Sequence, residues 1–280
     1  MEGYVYLNPK SLEEAVDMLS ASKAGHLVAG ATNVMMDIRS KKLSAAALIS
    51  IRDLKELSFI KNENGFLKIG SATSVAQIAS SELIRESAPA LYMAANVFAD
   101  PITRNSATIG GNIANASPAA DMAPSLLALD ALVHVAGKRG EREIKIEEFF
   151  KGVGKTALEK DEIITHISCL PQPCSYVKMG LRNAMAITVV SAAVSVTGSI
   201  DKIEDCRIAL GSVAPAPVRA KCAEAALRGA KFDKQAVEAM TQALPKDISP
   251  IDDLRASAGY RLNVASVLIE RAVSLALTGN

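Results

Sequence analysis

The sequence predicts an α+β fold: two small α/β subdomains, then a three-stranded antiparallel sheet with a helical bundle. Three observations carry this. Helix and strand patterns alternate over the first fifty residues, and the hydrophobic period turns strand-like near residue 131. After Pro171-Gln172-Pro173, three strand-like runs are followed by three helical ones. The expected domains are 1–172, with subdomains of about 1–55 and 56–172, and 173–280.

Ser11-Leu12-Glu13-Glu14 is a capping box opening a helix, with Leu12, Ala15, Val16 and Leu19 on one face and Gly25 as its stop. Residues 26–29 read as a short buried strand that runs into Gly30, and a second helical stretch leads to a strand at 47–51. Asn62-Glu63-Asn64-Gly65 lies between two apolar runs and signals a hairpin. Ser74-Val75-Ala76-Gln77 is another capping box, and helical character continues to Phe98, where Asp100-Pro101 breaks it. Residues 132–135 and 142–146 read as strands joined by Gly137-Lys138-Arg139-Gly140, and 162–169 as a further strand. In the second part the strands are expected at 176–178, 187–196 and 206–213, and the helices near 219–229, 233–243 and 252–277.

Composition excludes several functions. Lysine and arginine number 31 against 30 acidic residues, so no electrostatic footprint for nucleic acid is present. Tryptophan is absent and aromatics make up 4%, which leaves few platforms for stacking bases. No apolar run reaches the ~20 residues of a membrane span. The N-terminus lacks a basic start followed by an apolar run, so the cytoplasm is the expected location. Cys169, Cys174, Cys206 and Cys222 contain no C-x-x-C pair and read as small buried hydrophobes, and His26, His134 and His166 show no metal-ligand spacing. No metal site and no catalytic acid–base set are expected.

Two loops carry the chemistry. Ala29-Gly30-Ala31-Thr32-Asn33 joins a strand to a helix, where backbone N–H groups and the helix dipole suit an anion. Taken alone, a glycine at such a junction is explained by sterics. The second is the stretch from Ser106 to Asp121, with Gly110-Gly111 followed by small hydroxyl- and amide-bearing residues. That composition suits a diphosphate with sugar hydroxyls, the N–H groups facing phosphate and Asp121 the hydroxyls. A small-residue loop packed under a helix shares the composition, which leaves both readings open. Gly152-Val153-Gly154-Lys155-Thr156 resembles the end of a P-loop, but Phe149 stands where the first glycine belongs. The Glu141-Arg142-Glu143 and Glu147-Glu148 clusters read as solvated faces.

The run TIGGNIANASPAADMAP, Thr108 to Pro124, closely resembles the signature of FAD-binding subunits of the xanthine dehydrogenase and carbon monoxide dehydrogenase family, the molybdenum hydroxylases. Further matches come in order: Thr156-Ala157, Asp161-Glu162-Ile163-Ile164, and the segment from Leu181 to Ile187, so the resemblance spans essentially the whole chain. It implies a non-covalent FAD, since no histidine occupies the first loop. It also implies cofactor contacts from Leu27, Val28, Ala29, Gly30, Ala31, Thr32, Asn33 and Val34, wrapping the diphosphate. Phe98 and Ala99 are expected to line the flavin site. Thr108, Gly110, Gly111, Asn112, Asn115, Ser117, Ala120 and Asp121 are expected on phosphates, ribityl or ribose, and Ile164 near a ring. Where some members carry a lysine near the flavin, this chain has Thr188-Val189-Val190.

The resemblance further implies an oxidoreductase subunit that takes electrons from an iron–sulfur subunit, itself served by a molybdenum-cofactor subunit, and passes them to an acceptor, NAD. Two alternatives are a stand-alone FAD oxidoreductase and a cofactor-free assembly protein that keeps the fold. The C-terminal half has no His or Tyr constellation for a substrate, and the intact second loop argues against cofactor loss.

Overall fold

The computed structural model describes residues 4–182 and 184–279, so Asn183 of the Leu181–Ile187 match lies outside the described residues. The chain opens with β1 (Val5–Leu7), α1 (Leu12–Ala21), β2 (Gly25–Val28), α2 (Val34–Arg39) and β3 (Ala47–Ser50). Both β1 and β2 pair with β3 in parallel. Ser11 Oγ caps α1 by accepting from Glu14 N at 3.2 Å, while the Glu14 carboxylate turns back to Lys10 N rather than to Ser11. Gly25 does not stop this helix. It ends at Ser22, and Gly25 opens β2, where a Cβ would stand 2.8 Å from Ser22 Cβ. Ala15, Val16 and Leu19 pack on Ile49, Ile51 and Leu57, a small core of its own.

The next segment holds β4 (Ile60–Glu63), β5 (Phe66–Gly70), α3 (Val75–Ser80), α4 (Glu82–Ser87), α5 (Pro89–Asn96), α6 (Pro101–Ser106), α7 (Ile109–Ala114) and α8 (Met122–Ala128). It continues with β6 (Leu132–Gly137), β7 (Gly140–Lys145), α9 (Ile146–Phe149), β8 (Phe150–Gly152), β9 (Lys155–Thr156) and β10 (Ile163–Cys169). An antiparallel sheet runs β4-β5-β10-β6-β7. Asn64 and Gly65 take φ of 54° and 81°, the left-handed pair a tight hairpin needs. The helical stretch to Phe98 is three helices, because Ser81 ends α3 and caps α4 and Pro89 starts α5. Asp100-Pro101 ends one helix and begins another, with Asp100 capping α6 through Thr103 N at 2.9 Å. The P-loop lookalike is the turn between β8 and β9.

The C-terminal part comprises β11 (Cys174–Gly180), β12 (Thr188–Ser199), β13 (Lys202–Gly211), β14 (Val218–Arg219), α10 (Lys221–Leu227), α11 (Lys234–Ala243) and α12 (Ala258–Thr278). The sheet has four strands, one more than expected, because two-residue β14 is too short to show a period. The first nine residues of β12 are buried, so both faces of this sheet are covered. Ala193, Ala209, Cys174 and Tyr176 join the core of α5 and α8, whereas Val194, Val196, Ile208 and Leu210 face the core of α10 and α12. The N-terminal helices and the C-terminal sheet thus share one apolar interface.

Cys169, Cys174 and Cys206 are free and buried, and Cys222 is half-buried. Burial pushes the first three thiols up to about 12. Among the described residues no helix is long and apolar enough to cross a membrane, and no cluster is arranged to hold a metal.

Candidate functional site: a cofactor cleft between loop, helix and sheet

Two adjoining clefts run along the seam of these units. One, of about 270 Å³, lies between the loop after β2 and α7; the other, of about 670 Å³, opens between the two halves of the chain. Asn33, Phe98, Asn112 and Asn115 line both. The smaller cleft also takes Leu27, Ala29, Gly30, Ala31, Thr32, Val34, Thr108 and Gly111. The larger adds Ala99, Ser117, Ala120 and Asp121. Val28, Gly110 and Ile164 line neither. Val28 is buried in β2, and Ile164 pairs with Val135 inside the core.

The first loop is held open by its glycine. A Cβ on Gly30 would sit 1.9 Å from the Ser106 carbonyl oxygen, a contact no side chain can make. Ala31 follows with φ 59°, in the left-handed region. Among the described residues, no group accepts from the N–H groups of Gly30, Ala31, Thr32 or Asn33. Successive free amides turned by a left-handed residue form a concavity suited to an anion.

The second motif is a helix rather than a loop. Thr108 caps α7, its hydroxyl accepting from Gly111 N at 3.1 Å. Ile109 N donates to Thr73 O and Gly110 N to Ser71 O. The donors of the paired glycines are therefore spent inside the protein, and the unclaimed amides belong to the first loop. Gly110 is a packing residue, since its Cβ would lie 2.7 Å from Ser71, while Gly111 meets only Thr108 Oγ1. Asn112 ties α7 to α8 by accepting from Met122 N at 3.3 Å.

Asp121 is bound by the C-terminal sheet. Its Oδ1 accepts from Tyr176 Oη at 3.0 Å and Thr188 Oγ1 at 2.6 Å, and its Oδ2 accepts from Lys178 Nζ at 2.9 Å. Burial, and then the Asp121 charge, push the Tyr176 phenol well up. Tyr176 and Lys178 escaped notice in the sequence because nothing local marks them. The same holds for the far wall of the larger cleft, which includes Ser249, Asp253, Arg255 and Arg261. There the Asp253 carboxyl is held at about 2, chiefly by the Arg255 N–H, against the opposing effect of burial and with help from Ala256 N–H and the Arg261 and Arg255 side chains.

Residues 2–173 match the family described as the FAD binding domain in molybdopterin dehydrogenase, and 175–276 match the CO dehydrogenase flavoprotein C-terminal domain. The chain belongs to this family. It is an FAD-binding subunit of the molybdenum hydroxylase type, an oxidoreductase component whose cofactor is FAD. It is similar to the xanthine dehydrogenase FAD-binding subunit of Escherichia coli O157:H7, 32% identical over 278 residues, covering 97% of this chain and 95% of the relative. The carbon monoxide dehydrogenase medium chain of Hydrogenophaga pseudoflava is 31% identical over 278 residues, covering 98% and 96%. A solved structure of carbon monoxide dehydrogenase from Hydrogenophaga pseudoflava superposes with a TM-score of 0.93 at 32% identity, covering 98% of this chain and 96% of that one.

The residues of this FAD-binding subunit fit the cofactor. Free amides at Gly30–Asn33 suit the diphosphate, and Phe98, Met185 and Ile187 supply apolar surface for a ring. Among the described residues neither cleft is lined by His, Cys or Tyr, so no side chain of the kinds that bond covalently to flavin is at hand.

Proposed function

We propose that this subunit is the electron-transfer component of a molybdenum hydroxylase complex. In this reading it receives electrons from the iron–sulfur clusters of one partner subunit, served in turn by a molybdenum-cofactor subunit, and passes them to NAD. FAD supplies a centre that exchanges electrons singly or in pairs. The chain's own residues position it: the Gly30–Asn33 amides anchor the phosphates, and Phe98 and Ile187 offer apolar surface to the ring. The observation that carries this reading is the state of the carboxylates in the cleft. Asp100 caps α6, Asp121 is paired with Lys178, and Asp253 is paired with Arg255 and Arg261. None is free to take a proton from an organic substrate, which favours an electron relay over a stand-alone oxidase. Exposed Val153, Met185, Ile187 and Ile251 rim the same cleft, an apolar margin that suits cover by a partner.

The test is to purify the full chain, record its visible spectrum, identify the released cofactor, then reduce it anaerobically and add NAD. Expected are bound FAD and reoxidation by NAD. Folded, colourless protein that takes up no added FAD would favour the assembly-protein reading, and reduced flavin indifferent to NAD would remove NAD as the acceptor.

A further inference from the structure

The larger cleft has a wall that the anchoring loops do not use, built from the turn after β13 and the segment leading into α12. Ser212, Ser249, Asp253, Arg255 and Arg261 stand on it. Arg261 is 3% exposed, and its two terminal nitrogens are committed to the protein while its Nε is buried without a partner among the described residues. Nη1 donates to Val189 O at 2.6 Å and Ser212 O at 3.1 Å, and Nη2 donates to Asp253 Oδ1 at 2.7 Å. Arg255 differs. It gives Nη1 to Asp253 Oδ2 at 2.9 Å, and its Nε and Nη2 have no acceptor among the described residues. Among the described residues the Ser249 hydroxyl likewise has no partner, its backbone N–H alone being bonded, to Val213 O.

One carboxylate, Asp253, therefore holds both guanidiniums, with exposed Asp252 beside it accepting from Ala258 N. Lys178 neutralises Asp121, and Asp100 is turned to Thr103, accepting from its N–H and its hydroxyl. Asp253 also holds Arg255 in place, so a planar fork with two free donors is presented to the cavity at little entropic cost. Such a fork matches two oxygens of a phosphate.

We propose that Arg255 and Ser249 form a phosphate subsite for the electron acceptor, receiving the diphosphate of a pyridine dinucleotide whose ring end enters the cleft beside FAD. This rests on the reading above in which the acceptor is NAD. The site uses residues other than the Gly30–Asn33 amides that suit the phosphates of FAD itself.

The experiment uses the full chain saturated with FAD and ADP-ribose as probe, which carries the diphosphate but no redox ring. Calorimetric titration should show saturable binding that weakens as salt is raised. Arg255→Gln should weaken it by about tenfold or more, the loss expected for a charge-assisted bond. Arg255→Lys should recover part of the affinity, and Ser249→Ala should cost a few-fold. FAD content and melting temperature report whether each variant is folded, and Ser249→Ala keeps the test alive should Arg255→Gln fail to fold. No ADP-ribose binding to wild type, or equal binding to wild type and the folded variants, overturns the subsite. Arg255-dependent binding without reoxidation by NAD would keep the subsite and sink the proposed acceptor. Reoxidation by NAD with unchanged KM in Arg255→Gln would do the reverse.

Discussion

Asp121 and Lys178 form a buried ion pair, Nζ to Oδ2 at 2.9 Å, that ties the start of α8 to β11 across the junction of the two halves. The side chains retain 9% and 7% of their exposure, so neither charge is solvated without the other. Lys178 also reaches Val97 O at 3.4 Å, next to Phe98 of the cleft. The pair thus couples domain docking to the shape of the cofactor site.

Asp121→Ala should destabilise the chain by about 3–5 kcal/mol, because it leaves an ammonium buried without its partner. The Tyr176 and Thr188 hydroxyls lose their acceptor in the same step. Pairing it with Lys178→Met should recover the part of the loss due to the stranded ammonium. Urea midpoints of the four proteins in a double-mutant cycle check this, and additive losses would show that the two side chains act independently.

Gly30 and Gly111 should separate folding from cofactor retention. Gly30→Ala forces a methyl group against the Ser106 carbonyl and displaces the amides of the first loop, so FAD should be lost and the melting temperature lowered. Gly111→Val meets only the Thr108 hydroxyl, at 2.9 Å from its Cβ, but occupies the cleft. A folded protein with little FAD is expected from it, read from the absorbance of flavin per chain. Full flavin content in folded Gly111→Val would move the cofactor away from α7.

Thr108→Ala removes the cap of α7 and should cost about 1 kcal/mol, with Thr108→Ser close to wild type. Thermal melts of the two variants decide it. An unchanged melt for the alanine variant would mean that the bonds to Ser71 and Thr73 hold this helix end unaided.

His134 of β6 and His166 of β10 stack at 3.9 Å, and His166 Nε2 is buried without a partner among the described residues. Burial, then His134, Lys68 and Lys61, hold the His166 imidazole at about 4, with Glu63 opposing. Burial also lowers His134, joined by Lys68 and opposed by Glu143 and Glu141. An unfolded histidine takes its proton near 6.5, so between that pH and about 4 the unfolded chain binds more protons than the folded one. Stability from this pair is complete above that window and declines as pH falls through it. Urea midpoints at several pH values should show the decline, and His166→Gln should flatten it; an equally steep decline in that variant would assign it elsewhere.

Local features were readable wherever a few neighbouring residues decide them. The Ser74–Gln77 capping box forms with both arms, and Asn64-Gly65 makes the expected hairpin. The two segments expected to hold the cofactor, around Gly30 and Thr108, do line one cleft. Other readings failed where distant contacts override local preference. Gly110-Gly111 disfavours a helix in isolation, yet α7 forms because Thr108 caps it and Ser71 and Thr73 receive its first amides. Ile164, expected near a ring, pairs with Val135 and packs in the core.

By itself the sequence determined the α+β class, the family and the glycine-bearing segments, since these reside in periodicity, caps and short motifs. Tertiary structure alone decided which amides stay free and which charges are paired. Lys178 finds Asp121 across 57 residues, and Arg261 finds Val189 across 72. Such pairings form only when two elements pack and water leaves the seam, and no local pattern records that event.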